Sequence, residues 1–230
     1  MNLIFDVDDT LYDLMQPFER VFTECGYHQK ADCMDVFLAS RRIGDEMYDE
    51  MEQGRMDPDR YFILRTQKAL ETAGIHISDD EAMDFKKKYR DYQKEISMTD
   101  TMKEILDISK EKGWKLGIIS NGMTIGQWEK IKTIGVLRWI SKDMVIVSGD
   151  IKIAKPDIRI YEKAQEKFHI SPEDTVYVGD TYKNDIVGAG EAGWKTIWMN
   201  KRNYKIPEGG RKPDYEVTTE QELKDLIISL

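Results

Sequence analysis

The stretch Asn2-Leu3-Ile4-Phe5-Asp6-Val7-Asp8-Asp9-Thr10 decides the fold. Leu3, Ile4 and Phe5 make an unbroken apolar run of the kind found in strands covered on both faces, and a strand is expected over 2–8. It delivers two carboxylates, Asp6 and Asp8, to its C-terminal end, where open α/β sheets place their ligand crevices. Residues two apart on a regular strand point the same way, so the pair is expected on one side. Outward from this strand, the next comparable apolar run is Leu116-Gly117-Ile118-Ile119, and what lies between reads as an insert.

Within the insert, from Pro17 to Lys94, the pattern is helical. Phe18, Val21, Phe22 and Cys25 share one face, and Phe85, Tyr89 and Tyr92 share another. Ser78 with Glu81 forms a capping box, and Gly54, Pro58 and Gly74 punctuate the rest into about four helices. After the insert, Thr101 and Glu104 read as a second capping box, with Met102, Ile105 and Leu106 on the apolar face and Gly113 closing the helix. Strands follow at 116–119, 144–147, 175–178, 196–199 and 215–217, with helices at 158–168, 185–192 and 220–228. Such alternation implies a parallel sheet with right-handed crossovers and helices on both faces. The expected architecture is α/β: a Rossmann-like catalytic core formed by 1–14 and 96–230, with an all-helical cap domain inserted at 15–95. The segment 203–212, rich in charge, Gly and Pro, is expected to be an exposed loop.

At 230 residues with 40% hydrophobic content, the chain can bury a real core. Its formal net charge of -9 opposes a nucleic-acid track or an anionic membrane surface, which need a concentrated basic face. No basic and apolar leader and no membrane-length apolar run is evident, so a soluble, cytoplasmic protein is expected; a homodimer stays open. Two cysteines, Cys25 and Cys33, fit a reducing compartment better than a disulfide framework.

Three further segments carry chemistry: Ser120-Asn121-Gly122, Lys155-Pro156-Asp157, and Gly179-Asp180-Thr181-Tyr182-Lys183-Asn184-Asp185. A carboxylate can attack phosphorus and form an aspartyl phosphate, which splits one slow hydrolysis into two easier displacements, and Asp6 is the expected nucleophile. A carboxyl with its pKa raised toward about 6 could protonate the leaving alkoxide and later deprotonate water; Asp8 is expected to do so. An anionic nucleophile needs cations beside an anionic phosphate. Asp180 and Asp185, with Asp6, offer the oxygen ligands that Mg²⁺ prefers. Lys155 would hold a phosphoryl oxygen, with Thr10 and Ser120 as neutral donors and Asn121 and Gly122 shaping the substrate-binding turn.

The four motifs, in this order and at strand ends, resemble the haloacid dehalogenase superfamily of phosphohydrolases, in particular members with a helical cap inserted after the first strand. The resemblance covers essentially the whole chain. It implies a Mg²⁺-dependent phosphatase of small phosphorylated metabolites, with Asp6 as nucleophile and ligand and Asp8 as acid/base and backbone ligand. Asp180 and Asp185 are then further metal ligands. Asp8 disfavours the dehalogenase branch, where displacing halide requires no proton for the leaving group. Phosphonate cleavage through a cap lysine is disfavoured because Lys30, Lys68 and Lys86 to Lys88 lack a clearly apolar setting. The run from Phe5 to Asp13 looks most like nucleotidase-type members, so nucleoside monophosphates lead narrowly over sugar phosphates. A phosphosugar mutase and a non-catalytic regulatory protein of the same fold are the alternatives.

Several signals have plainer readings. Asp9 and Asp13 are expected as turn or surface groups, and Asp157, Thr181 and Asn184 as helix caps or loop ties as readily as substrate contacts. Lys152 competes with Lys155 for its role. Gly188, Gly190 and Gly193 match a dinucleotide fingerprint but fall in a helix, not in a strand-to-helix turn. Cys25, His28 and Cys33 lack the paired spacing of a zinc site, and Cys25 and Cys33 are expected as buried cap cysteines. Trp128, Trp139, Trp194 and Trp198 are expected in the core. Arg41, Arg42, Tyr48 and Arg65 are the cap candidates for choosing the leaving group.

Overall fold

The computed structural model describes residues 1–230, apart from the side chains of Asp49 and Glu52. β1 (Asn2–Phe5) is followed by four helices, α1 (Met15–Glu24), α2 (Cys33–Glu52), α3 (Pro58–Glu71) and α4 (Asp79–Tyr92). The chain continues through α5 (Asp100–Glu111), β2 (Lys115–Ser120), α6 (Thr124–Thr133), β3 (Val145–Val147), α7 (Ser148–Ile151), α8 (Ile158–Phe168) and β4 (Thr175–Gly179). A π-helical turn (Tyr182–Val187), α9 (Gly188–Glu191), β5 (Lys195–Met199), β6 (Tyr215–Val217) and α10 (Glu220–Ser229) complete it. Two compact units result: Leu14–Ile96, and Met1–Asp13 with Ser97–Leu230.

In the larger unit the six strands form one sheet in the order β3-β2-β1-β4-β5-β6, with every pair parallel. The chain runs outward from β1 to one edge, then returns to lay β4 on the other side of β1. The C-terminal ends of β1 and β4 are therefore the topological switch point, where doubly wound sheets open a crevice. Register fixes what enters it: Phe5 pairs with Val178, and the Asp6 N–H donates to the Val178 carbonyl at 2.9 Å. One sheet face is sealed by Ile4, Ile119, Ile146 and Tyr177 against Ile160, Tyr161, Ala164 and Phe168 of α8, with Trp194. Each isoleucine or phenylalanine among them contributes about 1.5–3 kcal/mol by leaving water. Leu3 and Phe5 are fully buried too, and α5 packs along α10.

The helical unit is organised around Phe18, whose ring meets Phe37 and Phe85 edge-on at 5.3 and 5.6 Å. Ser78 and Glu81 form the expected capping box, and Asp57 caps α3 ahead of Pro58 in its first turn.

Four local expectations are corrected. β1 stops at Phe5, not Asp8, because the chain turns at once: the Leu11 N–H donates to the Val7 carbonyl at 3.0 Å and Asp9 adopts φ 60°. Strand geometry thus cannot align Asp6 with Asp8. The N-cap of α5 is Thr99, whose hydroxyl accepts from the Met102 N–H, and Thr101 lies inside the helix. The expected helix over 185–192 is a π turn followed by the short α9, and Gly188 would place a Cβ 2.8 Å from the Tyr161 hydroxyl, so these small residues serve close packing. Trp194 and Trp198 are buried, whereas Trp128 and Trp139 are half-buried and donate their indole N–H groups to Asp150 (3.0 Å) and Asp107 (2.6 Å). The chain has no helix long and apolar enough to cross a membrane among the described residues.

Candidate active site

Asp6 leaves the end of β1, and Asp180 and Asp185 follow the end of β4. All three are buried, and one carboxylate oxygen from each lies within 4.8 Å of the others. Asp185 reaches the cluster because the π turn bends back toward the strand, and such turns recur at functional sites. Its Oδ2 accepts from the Thr181 N–H at 2.8 Å. Gly179 makes room for that carboxylate, since a Cβ there would stand 2.4 Å from the Asp185 carboxyl carbon.

Lys155 inserts its ammonium among these acids. Nζ donates to Asp6 Oδ1 and to Asp185 Oδ1, both at 2.7 Å, and to the Tyr177 hydroxyl at 2.8 Å. Tyr177 in turn donates to the Ile119 carbonyl at 2.8 Å. Asp6 Oδ2 accepts no hydrogen bond among the described residues. Burial pushes the Asp6 carboxyl up to about 6; the Lys155 charge pulls it down, and the Asp185 and Asp8 charges add to the rise. Burial disfavours the Lys155 ammonium, but Asp185 and Asp6 outweigh it and hold its pKa above the usual lysine range.

Asp8 faces other partners. Lys130 Nζ donates to both its oxygens at 2.8 and 2.9 Å, Gln127 Nε2 to Oδ2 at 2.8 Å, and the Tyr12 hydroxyl to Oδ1. Burial pushes its pKa up, but the Lys130 charge and these hydrogen bonds more than offset it and hold Asp8 below the ordinary carboxylate range. The expected elevation toward 6 therefore falls on Asp6, not Asp8. The Asp8 carboxylate also lies outside the three-acid cluster.

The four residues expected to bind substrate divide. Ser120 ends β2, and its Oγ accepts from Gln127 Nε2 at 3.1 Å. Thr10 is buried, and its hydroxyl has no hydrogen-bond partner among the described residues. Asn121 spends its side-chain amide on the Lys155 backbone, donating to the carbonyl at 2.9 Å and accepting from the N–H at 2.8 Å. The Gly122 N–H donates to Ser148 Oγ at 2.9 Å. Asn121 thus fixes the loop that aims Lys155.

Sequence reasoning passed over Gln127, Lys130, Tyr177 and Arg202. The first two lie on α6, whose weak apolar pattern buries only Gln127 and Ile131. Their spacing after Ser120-Asn121-Gly122 was the available signal: residues three apart share a helix face. Asp9, expected as a surface or turn group, is buried and takes Arg202 at 2.8 and 3.2 Å; Arg202 also donates to Asp13. Asp157 caps α8, as its plainer reading held, accepting from the Arg159 N–H at 3.0 Å. In the helical unit Cys25 and Cys33 are free and half-buried, not buried. Lys86 is buried over the Phe62 ring, against expectation, but is paired with Asp59.

Residues 3–199 match the family model for haloacid dehalogenase-like hydrolases. The chain belongs to that family and is a hydrolase of it. It is 28% identical to glyceraldehyde 3-phosphate phosphatase of Methanopyrus kandleri, over 99% of this chain and 97% of the relative. It is 32% identical to pyrimidine 5'-nucleotidase YjjG of Escherichia coli, over 49% of each. Among solved structures, the HAD-hydrolase YfnB of Bacillus subtilis superimposes with a TM-score of 0.71 at 24% identity, over 98% of this chain and 97% of that one.

Proposed function

We propose that the chain is a cytoplasmic, Mg²⁺-dependent phosphatase of small phosphomonoesters that works through phospho-Asp6, with the inserted helical unit as its cap domain. The observation that carries this reading is the convergence of Asp6, Asp180 and Asp185 beside buried Lys155, with Asp6 Oδ2 unengaged. Its free thiols support the location.

The donor set fits Mg²⁺. Its side chains offer hard carboxylate oxygens, and three negative charges against the one positive charge of Lys155 leave a deficit that a divalent cation matches. Asp6, Asp180 and Asp185 would hold the ion, with Asp8 contributing through its backbone. Bound there, Mg²⁺ would supply positive charge to the phosphoryl oxygens.

The chain's own groups account for the rest. Asp6 Oδ2 forms the new P–O bond while the ester P–O bond breaks, and the leaving oxygen takes a proton from Asp8. Water then attacks phosphorus, gives its proton to Asp8 and releases phosphate and the Asp6 carboxylate. Lys155 offsets charge on Asp6 and Asp185, and Ser120 and Thr10 offer hydroxyls to the phosphoryl group. The Lys130 pairing favours the ionised Asp8 that the second half needs. A phosphate dianion arriving beside Asp8 would raise its pKa for the first half.

A triose phosphate or similar small sugar phosphate leads as substrate, because the phosphatase relative matches along its full length. A nucleoside monophosphate is the second reading, favoured by the half-length nucleotidase match. The test is a panel of phosphorylated metabolites assayed with Mg²⁺ and with EDTA, using Asp6→Asn as the blank. Hydrolysis should need Mg²⁺ and vanish in the folded variant; wild-type rates in that variant would remove Asp6 as nucleophile.

A further inference from the structure

Asp8 lies beyond the last ladder residue of β1 and is tied to its surroundings by a single isolated bridge to Tyr12. Backbone pairing therefore does little to orient its carboxylate. The Tyr12 hydroxyl, which donates to Oδ1, and one face of α6 do that work. Lys130 contacts both Asp8 oxygens, and Gln127, three residues earlier, donates to Oδ2. The same Gln127 nitrogen reaches Ser120 Oγ at 3.1 Å and the Asn121 carbonyl at 2.5 Å. Gln127 is almost wholly buried. A single amide thus spans Asp8 and Ser120, the two side chains that would flank a bound phosphoryl group.

We propose that Gln127 and Lys130 are positioning residues that aim the Asp8 carboxylate at the leaving-group oxygen. This rests on the phosphatase reading above. Lys130 directs its ammonium to both Asp8 oxygens, so its influence on the reaction is assigned to that carboxylate.

The test uses leaving groups of different basicity. General-acid catalysis is worth about 10²- to 10⁴-fold where the departing oxygen needs a proton, and little where it leaves as a stabilised anion. Lys130→Met, Lys130→Arg and Gln127→Leu would be compared with wild type on p-nitrophenyl phosphate and on the fastest alkyl phosphate of the panel, both with Mg²⁺. The readout is kcat/KM, which stops at cleavage of the ester bond. Lys130→Met and Gln127→Leu should lose at least about tenfold on the alkyl ester and less than about threefold on the nitrophenyl ester. Lys130→Arg should recover most of the loss by keeping a cation at the same carboxylate. Equal losses on both esters, a rise in KM alone, or no loss would overturn the proposal. If Lys130→Met does not fold, Gln127→Leu carries the same comparison. Failure of the parent reading looks different: wild type would then cleave neither ester.

Discussion

Lys155→Met removes a cation that touches both Asp6 and Asp185 while keeping a side chain of similar length. Each 2.7 Å contact is worth about 6 kcal/mol of gross attraction at an effective dielectric near 20, and the cost of burying the charges cancels much of that. Breaking a buried pair leaves the partner acids uncompensated, so the expected net loss is about 3–5 kcal/mol, a large share of a typical domain's total. The loss should depend on pH. Burial pushes the Asp6 carboxyl up to about 6 in the folded chain, from an ordinary value of 3.8, so the native state holds more protons than the unfolded state between those limits. Without Lys155 this elevation grows, and the stability gap between variant and wild type should narrow as pH falls from 8 to about 5. Mg²⁺ should narrow it as well, because a ligand of the folded state stabilises in proportion to its affinity and the variant site is one charge more negative. Urea titrations at both pH values, with and without Mg²⁺, measure all three effects. A loss below about 1 kcal/mol, or one indifferent to both pH and Mg²⁺, would refute the claim that Lys155 neutralises the acids.

Gly179→Ala should cost about 1–3 kcal/mol by overpacking, because the new methyl would overlap the Asp185 carboxyl, and Mg²⁺ affinity measured by calorimetry should fall with it. An unchanged affinity would remove Asp185 from the metal set. Arg202→Met should cost about 1.5–3 kcal/mol in chemical denaturation, since it leaves buried Asp9 without its guanidinium partner. Arg202→Lys should restore only part of this, because one ammonium cannot reproduce the contacts that Nε and Nη2 make with both Asp9 oxygens.

Strands β1 to β5 were legible because a sheet covered on both faces writes its strands as short, nearly continuous apolar runs, whereas the edge strand β6, Tyr215-Glu216-Val217, keeps Glu216 exposed. Ile118-Ile119, Val145-Ile146-Val147 and Val176-Tyr177-Val178 all read this way. The cluster was legible for a related reason: acids at the ends of buried strands are costly without partners, so Asp6 and Asp180 announce a cation or a basic residue. What hid the rest was the same physics working at longer range. α6 keeps little apolar periodicity because the face it turns inward carries Gln127, whose partners are polar. Asp9 does sit in the turn after β1, but its burial was hidden because Arg202, which permits it, lies far along the chain. Thr101 satisfied the capping pattern, but only the extended backbone at Thr99 decides which threonine caps α5.

Asp6 and Asp8 show where sequence patterns stop and geometry begins. Two identical side chains, two positions apart, would share an environment if β1 continued; the turn after Phe5 gives them separate ones. Asp6 is placed against Asp185 and one shared lysine, so its carboxylate is held at a cost that a divalent cation would relieve. Asp8 receives a lysine of its own, an amide and a phenol, so its charge is compensated without any ion. Environments that drive paired carboxyls apart are the usual basis for dividing labour between them. Under the proposed reading, bond formation falls to Asp6, whose Oδ2 accepts no hydrogen bond among the described residues, and proton transfer to Asp8, which Lys130, Gln127 and Tyr12 hold.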